Sequence, residues 1–425
     1  LTVSGTNSFT GNNNNVVLIN SGWELSDTLS LPTVNIPYYF PGGLQVNNSG
    51  CLIVGSDNIL KFQDNTILNI NGTLIAQANT GEGIYFTSFR DDNWGGDSNN
   101  DGSASAPGTG NWYGIRFGDF SHDANCLMRR CYVRYAGMDN NGGITTENAS
   151  PTIGQCDLSN NYYGICMRYA SNPVFTNNTI GSSQMTPIAM SFEADPVMSD
   201  NTLSFSDNAY DAIGLLGGDL TANAVLKIRS VTSIPNITYF LLGHINVPAG
   251  ISLTINKGIV LKSYRDWDAL RITVQGTLTA NATADSMIVF TSARDDNYGN
   301  PADCNKDGTM TSPVVGNWGG IIFLPGSTGT MNYCRIKYAK LSDYGFSSCS
   351  VTENVNNAAI GMVDASPTVS NCIFENLYQA ISCYRASSPT LTNLDMINIS
   401  FTPINISGAA NPTMSGITFT NVGTR

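Results

Sequence analysis

Two stretches of this 425-residue chain carry the residue types and spacing that hold a hard cation. Asp97, Asn99, Asp101 and Gly102 fit the pattern DxNxDG, and Asp303, Asn305, Asp307 and Gly308 fit it again. Alternate residues of such a loop turn side-chain oxygens toward one centre, while the glycine lets the backbone bend sharply around it. Oxygen donors at flexible geometry select calcium; with two histidines in the chain and no CxxC, zinc and copper are disfavoured. Position twelve, where an EF-hand places a bidentate glutamate, holds Gly108 or Val314, so these are not EF-hands. Asp91 and Asp92, and Asp295 and Asp296, stand just upstream and are the expected further carboxylates. The alternative is a set of Asx-turns without an ion. Carboxylates packed this densely repel one another unless neutralised, which favours the ion.

The elements that must position these loops are themselves duplicated. Residues 86–115 and 290–321 each run from an FTS triplet through the acidic excursion to a GNWxGI stretch. The triplets read as strand ends and the stretches containing Trp112 and Trp318 as the next strand starts, with both tryptophans expected to pack beneath the loops. Further matched pairs lie 196 to 216 residues apart, the offset growing in small steps, as a fixed coil pattern with unequal surface loops requires. Within each copy, Pro151, Pro173 and Pro196, and then Pro367, Pro389 and Pro412, recur at intervals of 22 and 23 residues, each before a short alternating β-type run. Short strands at so short a period predict stacked solenoid coils in preference to a sandwich or propeller. Five residues after the prolines stand Cys156, Asn178, Asn201, Cys372, Leu394 and Ile417, expected to form interior ladders.

The succession GTLxA, IxFTS, DD, DxNxDG, GNWxGI, VRYAG and SPTI, present almost twice over, resembles the bacterial secreted right-handed parallel β-helix repeat proteins of pectin-lyase-like fold, which occur on cell surfaces and in very large adhesins. That resemblance implies an all-β, right-handed parallel β-helix and a secreted or cell-surface location; the DxNxDG stretches add long calcium-binding surface loops to the expected fold. It says little about activity, because the fold hosts lyases, hydrolases, adhesins and inert stalks.

Composition agrees with this class. Only 12% of residues are charged against 41% hydrophobic, and the formal net charge is −12. That balance argues against nucleic acid and anionic membranes as partners, and no apolar run is long enough to span a bilayer. Of ten cysteines, Cys131 matches Cys334 and Cys156 matches Cys372 in apolar strand contexts. Buried thiols are the expected state, with one or two disulfides allowed, Cys131 to Cys156 among them.

An enzyme reading rests on Asp91-Asp92, Gly243-His244 and Arg335-Ile336-Lys337, which resemble an acidic pair, a GHG and an RIK triplet that occur in this order in polygalacturonases. This chain has no NTD motif, reads GHI for GHG, and separates the acidic pair from the histidine by about 150 residues. Its Arg335-Ile336-Lys337 aligns with Tyr132-Val133-Arg134 and reads as an ordinary strand. A duplicated acidic loop also suits a structural ion better than one catalytic centre. The segment Tyr264-Arg265-Asp266-Trp267-Asp268 lacks a full counterpart in the first copy and is a candidate ligand patch or plain loop decoration.

The expected organisation is the end of a preceding unit at 1–12, a first unit at 13–204, a second at 205–412 and the start of another at 413–425. Neither end shows a cap, so a longer array or copies joined end to end into filaments is expected. The leading reading is a calcium-stabilised structural or adhesive segment of a secreted surface protein or fibre. The alternative is a polysaccharide-binding or polysaccharide-degrading β-helix.

Overall fold

A computed structural model describes residues 12, 14–20, 24–198, 203–232, 234–263, 270–341 and 355–423. The expected segment 1–12, apart from Asn12, and the patch at 264–268 lie outside the described residues. The chain forms two compact units, residues 1–211 with 230–235, and 212–229 with 236–425.

Each unit is built of right-handed parallel coils. Every full coil contributes one strand to each of three parallel sheets, as in Cys131–Arg134, Gly142–Glu147 and Thr152–Gly154 of unit 1. Among the described residues, helix is confined to two 3₁₀ turns, Asp123–Asn125 and Met138–Asn140, and no helix is long and apolar enough to cross a membrane.

The coils stack because their inward positions match. Leu68, Ile115, Ile144, Ile165 and Ile188 occupy consecutive registers of one sheet in unit 1 and are all fully buried. Each such side chain contributes about 1.5–3 kcal/mol of burial. Aromatic rings join the stack: Phe62 lies 4.3 Å from Trp112 and nearly parallel to it. The prolines enter where a strand edge needs no donor, and Pro151 and Pro389 each accept a bond from the next coil, at Val174 N (3.0 Å) and Thr413 N (2.9 Å).

Corners are closed by buried side-chain amides. Asn178 donates to Ile153 O at 2.8 Å and accepts from Cys156 N at 2.9 Å, so one side chain ties two coils. Asn161 does the same between Val133 O and Ala136 N, at 2.9 Å each. In the cysteine ladder, Cys131, Cys156, Cys334 and Cys372 are buried free thiols. All nine described cysteines are free, so no disulfide joins them; Cys349 lies outside the described residues.

Candidate metal centres

Each acidic loop connects two strands of its unit, Ile84–Ser88 to Gly114–Phe117 in unit 1 and Ile288–Ser292 to Gly320–Phe323 in unit 2. Its far end is fixed by the tryptophan at the next strand. Trp112 donates from Nε1 to Arg134 O at 2.8 Å, and Trp318 to Lys337 O at 2.7 Å; both rings are buried.

Within the loop, the aspartate that opens DxNxDG folds the chain around itself. Asp97 accepts from the N–H groups of Asp101 (3.1 Å) and Gly102 (2.9 Å), and Asp303 accepts from Asp307 (3.2 Å) and Gly308 (3.0 Å). Gly102 and Gly308 sit at φ +67° and +65° with nothing near a notional Cβ, so the left-handed backbone, not space, calls for glycine. The Asn99 amide donates to Asp101 Oδ2 at 2.9 Å and to Ser105, and Asn305 donates to Asp307 Oδ2 at 2.7 Å. Ser105 in one loop and Thr311 in the other bind that same carboxylate oxygen.

These bonds consume the outer lone pairs and leave the others unused. One carboxylate oxygen from each of Asp92, Asp97 and Asp101 lies within 4.8 Å of the other two, and Asp296, Asp303 and Asp307 repeat the arrangement. Oδ1 of Asp92, Asn99 and Asp101, and Oδ1 of Asp296, Asn305 and Asp307, are buried without a hydrogen-bond partner. Burial, and then the neighbouring Asp97 or Asp303, pushes the carboxyls of Asp92 and Asp296 above their ordinary value. A buried acceptor left unpaired costs about 1–3 kcal/mol, so the set is incomplete without a donor or a cation. Hard oxygen donors of this kind fit calcium.

Asp91 and Asp295 stand apart from these groups. Asp91 accepts from Thr87 Oγ1 at 2.6 Å and from Asn93 N at 3.1 Å. Asp295 accepts from Thr291 Oγ1 at 2.7 Å and lies 3.3 Å from Lys337 Nζ, an ion pair with both side chains buried. They pin the turn that leads into the loop. Arg335-Ile336-Lys337 is therefore a strand, Cys334–Lys337, with one end committed to that pair.

A residue pair missed in the sequence holds each loop from below. Lys61 and Lys262 are fully buried in the strand one coil before the loop. Lys61 Nζ donates to Asp91 O (2.7 Å), Gly96 O (2.9 Å) and Ser98 Oγ; Lys262 Nζ donates to Asp295 O (2.9 Å) and Ala302 O (2.6 Å). Burial lowers the Lys61 pKa to about 8 against the opposing pull of Asp91, Asp92 and Asp97. The available signal was a lysine repeated after two apolar residues in matching strands, Ile59–Phe62 and Val260–Ser263.

Comparison with known families gives two matches. Residues 98–241 match the model of the right-handed beta helix region, and residues 225–361 match that of the pectate-lyase-like beta helix domain. No curated protein and no solved structure matches the chain. The family matches and the observed coils support a pectate-lyase-like β-helix repeat protein.

Proposed function

We propose that this chain is a calcium-stabilised solenoid segment with a structural or adhesive role in a secreted, cell-surface protein or fibre of bacterial type. The observation that carries the reading is duplication: each unit groups three carboxylates within 4.8 Å and leaves matching Oδ1 atoms buried and unpartnered. A reaction centre has no need to occur twice with the same surroundings, whereas a loop staple is useful in every unit that has the loop. Partners of such a segment are neighbouring copies or repeats set end to end, and extracellular polysaccharide. Calorimetric titration with calcium tests the reading directly: two sites per chain are expected, and a flat titration rejects it.

A second reading, a polysaccharide-directed binding or cleaving protein, is favoured by the pectate-lyase-like match over 225–361. Release of reducing ends or unsaturated products from acidic or neutral glycans, abolished by one aspartate substitution, would place it first.

A further inference from the structure

The same outward row of side chains differs in character between the two units. In unit 1, Gln45, Asn69, Arg116 and Thr145 follow one another in register across consecutive coils. A groove of about 500 Å³ lies over this row, lined by Tyr113, Arg116, Asp139, Thr145, Glu147 and Arg168. In unit 2 the row reads Asn246, Thr273, Ile322 and Gly361. There the face is shut: Ile322, Leu341, Val355, Ala358 and Val363 form a buried apolar cluster. A Cβ on Gly361 would meet Leu341 Cδ1 at 2.8 Å and Val355 Cβ at 3.0 Å, so these two side chains sit on the row itself.

The sequence explains how the difference arose. Ala136 to Ile144 spans 8 residues, whereas Ala339 to Ile360 spans 21, and the longer connection supplies Leu341 and Val355. The groove residues Arg116, Asp139, Thr145 and Glu147 correspond to Ile322, Val355, Gly361 and Val363. One copy of this face is thus apolar and covered by its own chain; the other is polar and open.

We propose that the open face of unit 1 binds an uncharged, polyhydroxylated chain, a neutral oligosaccharide, with Tyr113, Arg116, Asp139, Glu147 and Arg168 as its contacts. This gives the polysaccharide reading above a place and a ligand class, and rests on it for the nature of the partner. The charge balance selects the class. Arg116 Nη2 bonds Glu147 Oε2, Arg168 Nε stands 3.9 Å from Glu147 Oε1, and Tyr113 donates to Asp139 Oδ2 at 3.1 Å. Two cations therefore face two carboxylates, and the groove presents donors and acceptors without net charge. A polyanion would meet Asp139 and Glu147 inside the groove and a net charge of −12 outside it. Sugar hydroxyls, each a donor and an acceptor, suit the mixed lining, and a tyrosine offers an apolar face with a polar tip. The lining runs over four consecutive coils, from Ile67 to Arg168, a length of about 14 Å at the ~4.8 Å strand spacing.

The test uses the full chain on immobilised xylan, mixed-linkage β-glucan and galactomannan, with polygalacturonate as the anionic control. Two variants accompany the wild type: Tyr113→Ala, and the double change Arg116→Ile with Glu147→Val, which copies unit 2 and removes both members of one ion pair. Melting curves and circular dichroism establish that each variant is folded. Retention on a neutral glycan, weakened about tenfold or more by Tyr113→Ala and lost in the double variant, is the expected result. Retention that both folded variants keep would overturn the groove and leave the polysaccharide reading standing. Retention on polygalacturonate alone would overturn the ligand class. No retention on any of the four overturns both.

Discussion

The two acidic loops share their inner oxygens and differ in what surrounds them. Loop 1 is held by an ammonium with three acceptors, since Lys61 reaches Ser98 as well as two carbonyls. Loop 2 has Cys304 where loop 1 has Ser98, and Lys262 retains two carbonyl acceptors. Loop 2 carries a further cation at its base, Lys337 against Asp295. The corresponding Arg134 in unit 1 turns instead toward Asp157, at 4.0 Å, and lies over the Trp94 ring. Both copies keep the grouped oxygens and also the lysine, threonine and tryptophan bonds that hold the loop; what differs is the side chain at the lysine's third contact, Ser98 or Cys304, and the partner of Arg134 or Lys337.

The largest expected difference between the two loops lies at their buried lysines. Lys61→Met strands the carbonyls of Asp91 and Gly96 inside the loop and is expected to cost about 3 kcal/mol or more. Lys262→Met, where the weakly accepting Cys304 thiol stands in place of the Ser98 hydroxyl, should cost less. Urea unfolding of both variants checks this, and equal midpoints for variants and wild type would mean that the ammonium groups do not hold the loops.

Next in size is the ion. A cation bound only to the folded state at a hundred times its Kd adds about 2.7 kcal/mol per site, so chelation should lower the melting temperature. Asp97→Asn with Asp101→Asn should remove one part of that effect, and Asp303→Asn with Asp307→Asn the rest. Identical melting of the wild type in chelator and in millimolar calcium would reduce the loops to plain turns.

A smaller effect separates the open face from the sealed one. Gly361→Thr installs the unit 1 residue beneath Leu341 and Val355 and should destabilise by about 1–3 kcal/mol through overpacking. The reverse change, Thr145→Gly, removes a buried side chain from a strand interior together with the acceptor of a bond from Gly142 N at 3.0 Å, and should cost about 1–2 kcal/mol. Calorimetric melting of the pair shows whether the apolar cover packs as described.

These contrasts also mark what a sequence reader can see. Proline phase and repeated strand runs made the coils legible, because a stacked fold writes its period into the chain. DxNxDG made the grouping of the inner oxygens legible, because the residues that bring them together are local. Adjacency alone does not tell Asp91 and Asp295 from Asp92 and Asp296: the first pair is engaged by Thr87 and Asn93 or by Thr291 and Lys337, partners that the local spacing does not record. Lys61 and Lys262 act on a loop 30 or more residues downstream, through a coil register that no local pattern records. The groove is hidden for the same cause. Its residues come from Ile67 to Arg168 and meet only because successive coils superpose.

The finest test exchanges charge at the loop rim. Asn100 and Lys306 occupy the same position between the second and third oxygen-bearing residues of DxNxDG, both exposed and both left-handed at φ 55°. Lys306 thus shows that the backbone there accepts a lysine, and a swap changes charge with little change of shape. Together with Lys337, Lys306 places two positive groups around loop 2 that loop 1 lacks in the same arrangement, so loop 1 should take the cation more tightly. Asn100→Lys should weaken calcium binding at loop 1, and Lys306→Asn should strengthen it at loop 2, each by about threefold at low salt. Exposed charges are screened over roughly 10 Å at 0.1 M ionic strength, so both shifts should shrink as salt is added. Titrations at two ionic strengths, each with the other loop disabled by its paired Asp→Asn changes, isolate one site at a time. Opposite shifts that fade together with salt mean that rim charge tunes two otherwise equivalent sites. Shifts of the same sign, or shifts that ignore salt, would show that the loops differ through the scaffold beneath them, at Ser98 and Cys304, and not through charge.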